Sequence, residues 1–327
     1  MTQEPNRRIC SYEGSAYRTE FWGEGRDYED AAERAVLNRM LPATGSRLVD
    51  IGGGYGRLVP LYSGYDEVVI FDYALTQLRQ AQQLWGRSGP NGRPRYCYVA
   101  GDFYRLPFAP SVFDTVVMVR ALHHASDAPS VLSGVSRLLG PGGSLVLEFA
   151  NKRNLKAILR YLVGRQDWSP FEREPIEFVP LNFDFHPAWI DAGLSKEGLT
   201  IRERRAVSSF RLALLKRLLP TRLLVALDRL VQPTGEVLPL SPSVFVRAEA
   251  GTARPHSPDR IRFRCTACGS TTLEEEERGL SCSNCDTFFP IEDGIYNFRA
   301  SSNTAESAPL GGSPQRQAGP QEEIDET

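Results

Sequence analysis

Short apolar runs recur along residues 45–150, each ending in an acid or a tight turn. The first, Leu48-Val49-Asp50-Ile51, opens into Gly52-Gly53-Gly54-Tyr55-Gly56. The second, Glu67-Val68-Val69-Ile70-Phe71-Asp72, ends in an acid. A third, Tyr96–Ala100, runs into Gly101-Asp102-Phe103, and a fourth, Thr115–Val119, into Arg120-Ala121-Leu122-His123-His124. Val131–Leu139 has helical spacing, Pro141-Gly142-Gly143 predicts a turn, and Ser144–Phe149 predicts a fifth strand. Strands alternating with helical stretches predict an α/β fold, a doubly wound parallel sheet with helices on both faces. Ligands bind such sheets at the carboxyl ends of the strands, where these acids and turns fall.

The pattern continues outside this region. Tyr17 to Leu41 predicts an aromatic lead-in and a helix, with Tyr28, Ala32, Ala35, Val36 and Met40 on one face. Asn151 to Val163 predicts a helix carrying Lys152, Arg153, Lys156 and Arg160. An aromatic, proline-broken stretch from Trp168 to Trp189 follows, either a lid or a wall packed on the sheet. Leu199–Val207 predicts a strand, and Phe210–Val231 a leucine-rich helical pair broken at Pro220. That pair carries Arg211, Lys216, Arg217, Arg222 and Arg229; it suits plain amphipathic packing, a membrane surface or a greasy channel. Ser243–Ala248 predicts a last strand closing the sheet. Residues 251–259 have a linker's composition, while residues 1–11 and the polar tail 300–327 are expected to be loose or disordered.

The glycine-dense turn has a physical use. Without Cβ the backbone turns sharply and lies close to a ligand, and the amides that follow point at it. Asp72 stands about 20 residues on, where a nucleotide-binding unit places an acid on ribose hydroxyls. Asp50-Ile51-Gly52-Gly53-Gly54-Tyr55-Gly56 matches D-x-G-x-G-x-G, and with Asp72, Asp102 and the Pro-Gly-Gly turn the chain resembles the class I S-adenosylmethionine-dependent methyltransferases. The small-molecule branch that includes the ubiquinone and menaquinone biosynthesis enzymes is the most similar, over roughly residues 45–150. The resemblance implies a Rossmann-like sheet and S-adenosylmethionine as cofactor. It implies that Asp50 and the loop at Gly52 and Gly54 hold the methionine part. Asp72 would take the ribose hydroxyls, Asp102 the adenine amino group, and Phe103 the ring's side. Lead-in segments of this family often cover the cofactor, so Tyr17, Phe21 and Trp22 are either lid or packing residues. The dinucleotide pattern G-x-G-x-x-G fails at Arg57, which lowers an NAD reading.

Cys265-Thr266-Ala267-Cys268 and Cys282-Ser283-Asn284-Cys285 are two C-x-x-C pairs a hairpin apart. That spacing predicts one structural zinc on four thiolates; redox pairs or disulfides are the alternatives. The following Phe289-Pro290-Ile291-Glu292-Asp293-Gly294-Ile295 resembles the zinc ribbon of the small activator protein that partners tRNA, rRNA and translation-factor methyltransferases. The resulting organisation is a methyltransferase domain at 1–250, a linker at 251–259, a small C-terminal ribbon at 260–299 and a tail. The ribbon is either a structural appendage or a docking site for a protein partner. Cys97 lies in a strand pattern as a small buried hydrophobe, and Cys10 has no assigned role.

Composition narrows the function. The chain has 327 residues, 41% hydrophobic and 24% charged, with a net charge of -2. That balance suits a globular enzyme and gives no broad attraction to nucleic acid. No apolar run is long enough to span a membrane, peripheral contact stays open, and cytoplasmic residence is expected. For proton transfer, His123 and His124 follow the fourth strand and His186 follows the aromatic stretch; each is a base, a cap or a packing residue. The expected activity is methyl transfer to a small or lipid-like acceptor. Alternatives are an RNA or protein acceptor delivered by the ribbon, or a non-catalytic cofactor-binding partner.

Overall fold

Residues 7–15, 17–23, 25–87, 96–254, 261–299 and 302–303 are described by a computed structural model. In chain order the elements are α1 (Tyr17–Glu20), α2 (Asp27–Met40), β1 (Gly45–Ile51), β2 (Tyr65–Asp72), α3 (Leu75–Trp85), β3 (Tyr96–Ala100), β4 (Phe113–Met118), α4 (Ala128–Leu138) and β5 (Leu139–Ala150). Then come α5 (Leu155–Leu162), β6 (Ile176–Val179), β7 (Asn182–Asp184), α6 (Pro187–Lys196), β8 (Leu199–Val207), α7 (Ala213–Leu218), α8 (Thr221–Val231) and β9 (Ser243–Ala250). The cysteine region forms β10 (Leu273–Glu276), β11 (Gly279–Cys282), β12 (Thr287–Glu292), β13 (Ile295–Asn297) and β14 (Ser302–Asn303).

The apolar runs become the middle of one sheet, in the order β3-β2-β1-β4-β5-β9-β8. β1 to β5 pair in parallel, while β9 is antiparallel to both β5 and β8. The Rossmann-like α/β reading therefore holds. The period of two in each strand sends its side chains to two cores. Val49, Val69, Val116, Leu145 and Leu147 pack against α4 and α6. Leu48, Val68, Ile70, Val117 and Val146 pack against α2, α3 and α8. Each such side chain, fully buried, contributes about 1.5–3 kcal/mol. On α2 the expected face is buried except Ala35, which is half-exposed.

Three boundaries differ from the pattern. The Pro141-Gly142-Gly143 turn is absorbed into β5 as an irregularity in its pairing with β4, with Gly142 at φ 67°. α5 begins at Leu155, because Asn154 caps it by accepting from the Ala157 amide, so Lys152 and Arg153 precede the helix. Ser243–Ala250 lies inside the sheet, and β8 forms the edge.

The largest correction concerns the cysteine region, which a linker was expected to isolate. Instead, β13 pairs in parallel with β3, Tyr296 opposite Val99 and Asn297 opposite Ala100, and extends the sheet through β12, β11 and β10. The Arg264 amide donates to the Pro107 carbonyl and the Ala109 amide to the Arg262 carbonyl. Cys265, Leu280, Phe289 and Phe298 join Val99 and Phe108 in one core. Apolar side chains on the ribbon would otherwise face water, and the open edge of β3 satisfies their burial and its own amides together. Linker residues 255–260 lie outside the described residues. So does the tail, apart from Ser302–Asn303, which pairs with β12. Residues 1–6 of the loose N-terminus are also outside; Arg7 is tied to Asp127 at 2.9 Å.

Candidate active site

At the carboxyl end of β1 the chain must reverse into the glycine turn. Gly52 and Gly54 have φ of 76° and 52°, the left-handed region. A Cβ on Gly52 would lie 2.6 Å from the Ala121 Cβ, so the loop touches the β4 turn because it lacks side chains. Asp72, ending β2, fixes the loop from the other side. Its Oδ2 accepts from the Gly54 amide at 2.9 Å and its Oδ1 from the Ala74 amide at 2.8 Å.

These turns open two adjoining hollows. The larger, about 590 Å³, is lined by Gly52, Gly54, Asp72, Phe103, Arg120 and His124, with Cys10, Tyr12, Tyr17 and Gln77 among its other walls. The smaller, about 380 Å³, contains Asp50, Gly53, Tyr55, Arg57, Trp22 and Tyr17. The lead-in therefore covers the turns. Tyr17 stacks on Phe21 with ring centroids 5.0 Å apart, and the Arg57 guanidinium lies 3.9 Å above the Trp22 ring.

Asp50 is buried beneath the loop, and its Oδ2 accepts from the Tyr62 hydroxyl at 2.8 Å. Burial pushes its carboxyl up to about 7, against the pull of Tyr62 and Arg57. Burial raises Asp72 as well, opposed by the Ala74 and Gly54 amides. Asp102 does not line either hollow. Its carboxylate accepts from the Tyr104 amide at 2.8 Å and caps the short helical turn that presents Phe103.

The three histidines separate. His124 is buried at the cleft; its Nδ1–H donates to the Leu181 carbonyl at 2.8 Å, which leaves Nε2 to accept from the Tyr12 hydroxyl at 3.1 Å. The His123 ring lies tilted against it with centroids 4.0 Å apart, and burial with the neighbouring His124 pushes His123 well below the usual histidine range. His186 is not at either hollow. It caps α6, its Nδ1 accepting from the Ala188 amide at 3.1 Å. The aromatic stretch is in part a wall: Phe185 and Trp189 pack on the sheet, Phe171 and Phe178 are exposed, and the Leu181 carbonyl meets His124.

The sequence pattern gave no role to Cys10, Tyr12, Gln77, Arg120 or Glu33. Arg120, at φ 54° after β4, donates from Nε to Glu33 at 2.8 Å, and Arg57 donates to the other oxygen at 2.7 Å. Burial alone would raise the Glu33 carboxyl, but Arg120 and Arg57 outweigh it and hold it at about 2. An unfolded glutamate titrates near 4.3, so this contribution is complete above about pH 4.3 and is lost as pH falls toward 2. Replacing Glu33 by Gln removes the charge that Arg57 and the half-buried Arg120 share; Arg57 keeps Asp30, Arg120 loses its ion pair, and the change should cost about 3 kcal/mol at neutral pH. Urea unfolding measures it: the gap from wild type should narrow in acid, and equal stability at neutral pH would contradict the assignment.

The four cysteines form a second centre. All four Sγ atoms lie within 4.8 Å of one another, with Cys265–Cys285 and Cys268–Cys282 each at 3.6 Å. A tetrahedron with Zn–S bonds of about 2.3 Å needs sulfurs about 3.8 Å apart, so the set fits a zinc ion. The Ser270 amide and the Asn284 side chain pull the Cys268 thiol down to about 6, while burial pushes Cys265 up to about 12 and raises Cys282, so a bound cation would have to draw those two to the thiolate.

Comparison with known proteins agrees with this geometry. Residues 49–147 match the family model described as methyltransferase domain. O-methyltransferase cnsE of Penicillium expansum is 30% identical over 120 residues, 36% of this chain and 43% of that protein. A demethylmenaquinone methyltransferase of Beutenbergia cavernae is 31% identical over 141 residues, 42% and 50% of the two chains. The chain thus spans about half the length of the curated relatives it matches. The structure of an S-adenosylmethionine dependent methyltransferase from Mesorhizobium loti aligns with a TM-score of 0.47 at 22% identity, covering 68% of this chain and 99% of that one. The acid-ended strands, the glycine turn and the family match coincide on one stretch: residues 49–147 match a methyltransferase domain.

Proposed function

We propose that the chain transfers a methyl group from S-adenosylmethionine to a small, partly apolar acceptor. The observation that carries this is the convergence of the Gly52–Gly54 turn, Asp72, Phe103 and His124 on one cleft. Asp50 is placed to hold the cofactor's ammonium, a charge that would draw its raised carboxyl back to the ionised form. Asp72 is assigned the ribose hydroxyls and Phe103 the face beside the adenine. Asp102 positions Phe103 through its cap instead of reaching the cleft itself. The cofactor, when bound, supplies a methyl group on a sulfonium; the chain's residues orient the acceptor and exclude water.

His124, not His186, is the base in this reading. The Leu181 carbonyl holds its proton on Nδ1, so Nε2 is the accepting nitrogen; the Tyr12 hydroxyl occupies it here, and an acceptor hydroxyl would have to take that place for its proton to pass to Nε2. The relatives named as an O-methyltransferase and a demethylmenaquinone methyltransferase favour a hydroxyl or an activated ring carbon as the acceptor atom. A ribbon-delivered RNA or protein is less favoured, because the ribbon sits on the β3 edge, while the aromatic segment and α5 follow β5 on the other side of β1. The four-cysteine centre is proposed to hold zinc as a structural ion. His124→Gln should keep cofactor affinity and lower kcat by about 10²–10⁴-fold, the scale of a lost general base. Single-turnover rates with unchanged kcat would remove His124 from that role.

A further inference from the structure

Of the sixteen exposed large hydrophobic side chains among the described residues, all but Leu84 fall between residues 155 and 238. They are ordered. On α5, Leu155, Leu159 and Leu162 are 51–68% exposed at helical spacing, while Ala157 is the one residue of that helix in the core. α7 buries none of its residues, and Leu214 and Leu218 stand one turn apart at 67% and 69%. α8 turns Leu224 inward and Leu230 outward at 77%. In an ordinary surface helix the apolar stripe faces the core. Here, stripes on three helices face away from it.

On α5, α7 and α8 the exposed charges are basic, and Glu236, beside Val237, is paired with Arg205 at 3.0 Å. Residues 155–165 hold Lys156, Arg160 and Arg165 and no acid. Residues 210–231 hold five basic residues and one acid, Asp228, which is wholly buried against Tyr28. The whole chain carries -2, so the basic character is local. These elements adjoin: the Leu155 amide, at the start of α5, donates to the Leu240 carbonyl at 2.8 Å, and exposed Val237 and Leu238 lie between that point and the end of α8. No helix among the described residues is long and apolar enough to cross a membrane.

We propose that α5, α7, α8 and the 237–238 turn form a docking surface for an anionic lipid bilayer. Leucines on short helices enter the acyl boundary, while arginines and lysines beside them meet the head groups. A protein partner with an apolar patch would leave these five exposed cations (Lys156, Arg165, Arg217, Arg222 and Arg229) without counter-charge unless it were acidic as well; a bilayer of anionic lipid supplies both chemistries over the whole area. The surface begins where β5 ends, so a docked chain presents its cleft close to the membrane, where an apolar acceptor would be concentrated. The surface argument does not depend on methyl transfer.

Sedimentation of the full chain with vesicles tests it. Binding to phosphatidylcholine vesicles containing phosphatidylglycerol should be at least about tenfold tighter than to phosphatidylcholine alone, and should weaken as salt rises. The double variants Leu214→Ser/Leu218→Ser and Arg217→Glu/Arg222→Glu should each lose about tenfold or more of that binding. Both pairs lie outside the core, so melting temperature and cofactor binding should be unchanged. Equal binding to neutral and anionic vesicles, or variants that bind as wild type does, would overturn the proposal. So would concentration-dependent self-association that the leucine variant abolishes, because the face would then belong to a second copy.

Discussion

Removing metal from Cys265, Cys268, Cys282 and Cys285 is expected to unfold residues 261–299 and to loosen the sheet they extend. The ion's binding free energy, about 10–16 kcal/mol in small zinc modules, is mostly folding free energy of the ribbon. The consequence should reach the larger domain. β13 covers the end of β3's edge, and its loss would leave Val99 and Ala100 unpaired on that side. Past β13, Arg299 donates to the Glu13 carboxylate at 2.7 Å and to the Tyr73 carbonyl at 3.2 Å. Glu13 in turn accepts from the Leu75 and Thr76 amides at the start of α3. The ribbon thus ties the N-terminal segment to the rim of the cleft. Elemental analysis should find one zinc per chain. After chelation, hydrogen exchange should speed up in 261–299 first and at Val99 and Ala100 with it. A metal-free chain with β3 fully protected would show that the ribbon is only an appendage.

Asp72→Ala should weaken S-adenosylhomocysteine binding by about 1.5–3 kcal/mol, or about 10- to 150-fold in Kd. Two losses combine. The ribose would lose a charged acceptor, and the Gly54 and Ala74 amides would lose theirs, so the loop would no longer be held in its ligand-ready shape. The ribbon and the Glu33 network should be untouched, and elemental zinc content should equal that of wild type. Calorimetry at neutral pH measures the change. Unchanged affinity, or NAD binding as tightly as S-adenosylhomocysteine, would remove Asp72 from the ribose site.

The central sheet was legible because each strand is a short apolar run ended by an acid or a turn, and each connecting helix has its own period. Asp50, the Gly52–Gly54 turn and Asp72 were legible because a short stretch of chain defines the turn and its acid. Glu33 was not. It is not among the apolar residues that marked the helix, and its partner Arg120 is 87 residues away, so the pair exists only once α2 meets the end of β4. His186 carried the right chemistry for a base, but Pro187 starts α6 immediately after it and makes it a cap. The ribbon's own hairpins were legible from cysteine spacing. Its pairing with β3 was not, because an edge strand does not mark in sequence what will cover it. The leucines of α5 and α7 had the spacing of buried stripes, and only the packing of their neighbours shows that they face outward.

The account turns on methyl transfer to a small acceptor, and one measurement addresses it most directly. The zinc-loaded chain is incubated with methyl-labelled S-adenosylmethionine and a cell extract, which is then divided into organic-soluble small molecules, RNA and protein. The account predicts label in the organic-soluble fraction, lost with Asp72→Ala and strongly reduced with His124→Gln. Label confined to RNA or protein would contradict the acceptor assignment, and no transfer to any fraction would contradict the activity itself.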